Sequence, residues 1–327
     1  MHLSHSRILP GDVLPTRSHG AASAGALFPP RAFEPQRLAF RARPRRSAQA
    51  PPVHPSERSP RRRAIGRHLA LIVSVLALLT VSMPAAQAGS KGVFHTSCAF
   101  SHAAPDDPIV FPGDPGASHL HSFFGNRSTD ASSTYRSMRA GSTTCGFSAD
   151  TAGYWVPALL DRQGNVVTPR NVAAYYLASS GVVAPPANLR MIAGGDTAEL
   201  RIAGYACGEG SATSSVPMDC GSKWLKGVIA FPSCWNGQDL DSRDHRSHVA
   251  YPTGKGCPRR YPVRIPKLVF HVTYGIHDGT GYTLVSDRMM GHEDGMSLHA
   301  DFWNTWDQEE LEGVVERCLN GGQSCDL

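Results

Sequence analysis

All eight cysteines of this 327-residue chain lie between Cys98 and Cys325, behind an apolar run at Leu69–Val81. That order constrains the fold more than any other feature. Arg61, Arg62, Arg63 and Arg67 precede the run, and Ala86-Gln87-Ala88 follows it. A basic flank, a short apolar segment and a small-x-small site make a secretory signal peptide over residues 61–88, with cleavage expected after Ala88. A spanning helix needs ~20 apolar residues, and this run is shorter and ends at Met83-Pro84, so no stable membrane span is expected after processing. Export to an extracellular, oxidising space makes disulfides the default for Cys98, Cys145, Cys207, Cys220, Cys234, Cys257, Cys318 and Cys325. Sequence cannot fix their connectivity; pairing each cysteine with its neighbour in the chain is the simplest arrangement. No C-x-x-C pair is present, so a cysteine-ligated zinc site is not the reason for them.

Charge divides the chain at the same place. Residues 1–88 hold 13 arginines and three acids, a net charge of +10, whereas the rest holds 19 basic and 24 acidic residues, a net of −5. The mildly acidic balance after residue 88 argues against nucleic-acid binding, for which a basic face supplies most of the affinity. Residues 1–60 are rich in Arg, Pro, Ala and Ser without hydrophobic periodicity and read as a disordered preface, consistent with a true translation start near Val53. Residues 89–327 read as one secreted domain, with no internal repeat and no linker.

Within it the pattern is β-rich. Short apolar or alternating runs at 154–160, 199–202, 227–231 and 268–274 are bounded by turn residues. Asp278-Gly279 followed by 281–285 suggests a hairpin returning from the 268–274 strand. One helix is expected near the C-terminus, capped by Asp307, with Leu311, Val314, Val315 and Cys318 on one face. The expectation is a mainly β, disulfide-stapled sandwich or jelly roll with long loops.

Three polar clusters carry the candidate chemistry. In the first, His119 and His121 share a face if the segment is extended, which suits a metal or an acid–base pair. In the second, Asp239, Asp241, Asp244, His245 and His248 follow Cys234-Trp235-Asn236-Gly237. It lacks the Gly and the twelfth-position Glu of a calcium loop, and a polar turn is the plain alternative. In the third, His299 and Asp301 again stand two apart, without the zinc-helix pattern H-E-x-x-H. The candidate catalytic set is His119, His121, Asp244, His248, His299 and Asp301, with His119, His121 and His299 as candidate ligands of a divalent metal. Trp155, Trp235 and Trp303 are candidate sugar-stacking rings, although such tryptophans more often belong to the core. No G-x-S-x-G elbow or phosphate-binding glycine loop appears.

The order of motifs resembles a secreted domain family of unassigned function found in actinobacteria and filamentous fungi. The matching residues are Asp107-Pro108-Ile109-Val110, His119-x-His121, Phe124-Gly125, Trp155-Val156-Pro157, Cys234-Trp235-Asn236-Gly237, Ser247-His248-Val249-Ala250-Tyr251-Pro252 and His299-Ala300-Asp301-Phe302. In fungi that family often sits beside cysteine-rich, sugar-binding WSC modules. The resemblance implies secretion and a cell-wall setting, and it supplies no reaction.

Two classes of function follow. A carbohydrate-active enzyme would act on a cell-wall or biomass polysaccharide. It would use a carboxylate pair from Asp239, Asp241, Asp244 and Asp301 for hydrolysis, or a histidine base for elimination at a uronic acid. A non-enzymatic surface module would hold a glycan or a metal with the same groups. The processing reading is checked directly: mass spectrometry of the protein from a secreting host should find Gly89 as the first residue, and an N-terminus within 60–75 would contradict it.

Overall fold

The computed structural model describes residues 91–179, 181–195, 199–292 and 294–327. The expected preface, signal peptide and cleavage point lie outside the described residues. The main sheet is built from β1 (Gly92–Ala104), β2 (His121–Gly125), β3 (Gly153–Pro157), β4 (Pro169–Ala178) and β5 (Arg190–Gly194). It is completed by β6 (Ala203–Cys207), β7 (Leu225–Ala230), β8 (Lys267–Tyr274), β9 (His299–Trp303) and β10 (Ser324–Asp326). Their order is β5-β9-β3-β2-β1-β4-β8-β7-β6, and β10 runs parallel beside the start of β1.

β1 is the seam of a sandwich-like arrangement. Its residues 92–99 pair with β4 and its residues 100–104 pair with β2, and a register shift separates Phe100 from His102. Such an irregularity bends and twists a strand, so one strand can serve two layers. The layers meet through aromatic side chains: the Tyr154 ring on β3 lies 5.4 Å from Phe270 on β8, and Phe302 on β9 lies 6.3 Å from Phe231. Alternation along each strand decides what enters this core. Phe124, Tyr154, Val156, Ala300 and Phe302 point in from one layer; Val172, Tyr176, Phe270 and Val272 point in from the other.

The other side of the β5-β9-β3-β2 layer is covered as well. Phe123, Trp155, Ile192 and Trp303 are buried there against Ile109 and Met138. The segment after β1 therefore folds back over the sheet and makes a second, smaller core.

The cysteines pair with their chain neighbours, Cys98–Cys145, Cys207–Cys220, Cys234–Cys257 and Cys318–Cys325, in the simplest arrangement open to them. The C-terminal helix α1 (Gln308–Val314) begins at Asp307, whose side chain accepts from the Glu310 N–H, and continues as a π turn at Val315–Asn320. Two local expectations fail. Residues 199–202 form a turn, because the N–H groups of Ile202 and Ala203 both donate to the Glu199 carbonyl. Thr283–Leu284 does not return along β8; it pairs with Leu159–Leu160, after Asp278 has turned the chain by accepting from Thr280 and Arg162. Among the described residues no helix is long and apolar enough to cross a membrane.

A buried polar knot sits in the main core. Tyr154 donates its hydroxyl to Asp150 at 2.8 Å, and Trp306 donates its indole N–H to the Tyr154 and Tyr176 hydroxyls, each at 3.2 Å. Burial pushes the Asp150 carboxyl up to about 7, against the hydrogen bonds that pull it down. A carboxyl raised above its unfolded value favours folding when protonated, so that contribution is full below ~4 and lost as pH rises through about 7. Guanidinium unfolding at several pH values should show the gap between wild type and Asp150→Asn changing across pH 4–8, with wild type losing stability relative to the variant as pH rises. A gap that does not depend on pH would contradict the assignment.

Candidate metal centre

The outer face of the β5-β9-β3-β2 layer carries the polar residues that alternation sends away from the core. His121 lies two before Phe123 on β2, and His299 and Asp301 precede Trp303 on β9, so all share the face of the second core. His119 is not itself in a strand, yet its ring centroid is 4.2 Å from that of His121 and 5.1 Å from that of His299. Ligand atoms of His119, His121 and His299 lie within 4.8 Å of one another, as do those of Asp107, His121 and Asp301. The first and third sequence clusters thus converge, and Asp107 joins them.

Hydrogen bonds orient two of the rings. His121 Nδ1 is 2.9 Å from the Asp106 carbonyl, and His299 Nδ1 is 2.9 Å from the Ser297 carbonyl. A carbonyl only accepts, so each Nδ1 carries the proton and each Nε2 presents a lone pair. Metal-bound histidines are characteristically oriented in this way. Ser297 is itself fixed by Asp287, whose carboxylate accepts from the Ser297 N–H and hydroxyl. At Gly194, beside His299 in the register of β5 and β9, a Cβ would stand 2.5 Å from the Leu298 carbonyl oxygen. Glycine with φ +83° lets the edge strand close over this end of the site.

Several groups that normally demand partners lack them. Nε2 of His119, Nε2 of His121 and both carboxylate oxygens of Asp301 are buried without a hydrogen bond among the described residues. An unmade hydrogen bond at a buried polar atom costs ~1–3 kcal/mol, so four in one cluster point to a ligand for the site. Burial lowers His119 and His299 to about 4 and pushes His121 well down, with the neighbouring histidines adding to the effect on His121 and His299. Burial also raises Asp301 well above the carboxylate range, helped by the nearby Asp107, which is raised in turn by its own burial. The site thus offers neutral imidazoles, the form that ligates metals.

The remaining candidates are placed elsewhere. His248 is buried with both ring nitrogens engaged, Nδ1 with the Ser242 hydroxyl at 2.9 Å and Nε2 with the Arg190 carbonyl at 2.6 Å. It holds the 242–248 loop to the edge strand β5. Asp244 accepts from Ser242, Arg246 and Ser247, which hold its carboxylate well below the usual range, so it organises a turn. Asp239 accepts from Asn236, and Asp241 pairs with Arg190 and His245. The carboxylates that do come together are Asp107 and Asp301. Trp155 and Trp303 are buried in the second core, where Arg190 stacks over Trp303, so neither ring faces solvent. Trp235 is half-buried and donates to the Asp239 carbonyl.

Sequence reasoning missed Asp107, although it opens the Asp-Pro-Ile-Val motif; its carboxylate also accepts from the Ile109 and Val110 N–H groups. The family model for a domain of unknown function, DUF1996, matches residues 107–306, and the chain belongs to that family. The matched span begins at this aspartate and contains the whole centre. No curated protein matches the chain, and no solved structure does.

Because the imidazoles are neutral far below the ordinary histidine range, proton competition for a metal should begin only near pH 4–5, not near ~6.5. Isothermal titration with Zn²⁺ should give an affinity that stays level from about pH 7.5 to 5.5 and falls below that. A tenfold loss between about pH 7 and 6 would mean that the rings are solvated and ordinary.

Proposed function

We propose that this protein is an extracellular metalloprotein in which His119, His121 and His299 hold a divalent transition ion, with Asp301 and Asp107 beside it. The observation that carries the reading is the convergence of three neutral imidazoles and an unpartnered buried carboxyl on one face of the sheet. Imidazole nitrogen suits zinc and copper better than calcium or magnesium, which favour all-oxygen sites. Three protein ligands leave an open position, the pattern of catalytic centres, where structural sites are closed by four. An ion held there would supply a bound water of lowered pKa, and Asp301 would be the neighbouring group to exchange a proton with it. Four disulfides and the absence of a membrane-crossing helix among the described residues fit an extracellular protein.

The substrate class we assign is a cell-wall or biomass polysaccharide, on the strength of the resemblance to secreted domains that accompany sugar-binding modules. The burial of Trp155 and Trp303 favours a second reading, a metal-binding module without catalysis, because it removes two of the three rings offered for stacking on a sugar.

Elemental analysis of the secreted protein should find close to one zinc or copper per chain. The double variant His119→Ala/His121→Ala should retain no metal while keeping its four disulfides and its far-ultraviolet spectrum. Incubation of the metal-loaded protein with a polysaccharide panel should release reducing ends or an unsaturated, ultraviolet-absorbing product, and the variant should not. Metal without product selects the non-catalytic reading; no metal after zinc or copper loading overturns the proposal.

A further inference from the structure

The opposite face of the molecule carries a second feature that the metal centre does not explain. On β4 and β8, Val172, Ala174, Tyr176, Phe270 and Val272 point into the core, so Tyr175, Leu177, Val269 and His271 point out. With Val228 and Ala230 of β7 they floor a cleft of about 670 Å³, walled by the 199–202 turn and the 209–212 loop. That volume lies within the ~300–1,000 Å³ of small-molecule sites, and an aliphatic floor with a few polar groups is their usual composition.

The charges around the cleft are almost all balanced. Glu209 forms an ion pair with the buried Lys226 ammonium and stands 3.6 Å from His271 Nδ1. Arg201 pairs with Glu199. Burial, with Lys226 nearby, lowers His271 and keeps it neutral at pH 7, although Glu209 pulls the other way. Lys267 lines the cleft, is exposed, and has no ion-pair partner among the described residues. What remains is an aliphatic trough with one uncompensated cation on its wall.

We infer that this cleft is a ligand site for small apolar carboxylates, whose hydrocarbon lies on Leu177, Val228 and Val269 and whose carboxylate meets Lys267. The cation alone would bind any anion weakly, and the trough alone any apolar molecule; together they select molecules carrying both features. Recognition of this kind is independent of the metal centre, which lies on the outer face of the other layer.

Displacement of the dye 1-anilinonaphthalene-8-sulfonate from the secreted protein tests it, with butanoate, hexanoate, octanoate and decanoate as competitors and octan-1-ol as the uncharged control. Binding should tighten ~3- to 4-fold per added CH₂ until the trough is filled. Lys267→Gln should weaken octanoate about tenfold while changing octan-1-ol less than twofold. Val269→Asp should abolish displacement by both, with four intact disulfides and an unchanged far-ultraviolet spectrum as evidence of an intact fold. Absence of decanoate binding at millimolar concentration, or an equal effect of Lys267→Gln on octanoate and octanol, would overturn the inference.

Discussion

Two-residue alternation along the strands of the β5-β9-β3-β2 layer is the constraint on which the rest depends. It sends Phe124, Tyr154 and Phe302 into the sandwich and His121, Phe123, Trp155, His299, Asp301 and Trp303 to the other side. Phe123, Trp155 and Trp303 cannot face water in such numbers without a cover, and the segment around Ile109 and Met138 provides it. Once that cover is in place, the histidines and the aspartate interleaved with those rings are buried too. The candidate metal centre is therefore inseparable from the second core: the same fold-back that shields Trp155 desolvates His121.

Burial on this scale is unfavourable for ionisable groups unless they stay neutral or find partners. Desolvation favours the basic form of the imidazoles and shifts Asp301 toward its acidic form. Carbonyls of Asp106 and Ser297 then fix the tautomers. Positioning comes from backbone on two sides, the covering segment and the loop before β9. Asp287, on the four-residue helical turn Asp287–Met290, secures that loop through the Ser297 and Gly295 N–H groups and ties it to the Thr283–Leu284 strand by accepting from the Leu284 N–H. Buried ionisable groups without partners cost stability, and such arrangements are of a kind that functional sites retain.

The disulfides do a different task. Cys98–Cys145 ties β1 near its register shift to the loop before β3, and Cys318–Cys325 ties the π turn to β10. Cys234–Cys257 closes the loop that contains His248, and the two-ended hydrogen bonding of His248 then anchors that loop to β5. A residue that stands in one of the motifs carrying the family resemblance can thus be a fastener. Its position in a polar run gave no means of telling a fastener from a ligand, because both need a histidine with two engaged nitrogens.

The chain by itself determined the local features. The mainly β character and the capped helix at Asp307 are short-range matters of alternation and capping, whereas the cysteine pairing, open in sequence, took its simplest form only in the folded chain. A spacing of two likewise places His299 and Asp301 on one face of any extended segment. Tertiary structure alone decided which faces meet. It brought His119, from a loop, against His299, 180 residues later, and put Asp107 rather than Asp239, Asp241 or Asp244 beside Asp301. It turned two tryptophans from apparent sugar platforms into core. The physical reason is that alternation states only that a side chain leaves one face of a strand. Whether water, a covering loop or a second sheet waits on that side is settled by long-range packing, which no local window of sequence contains.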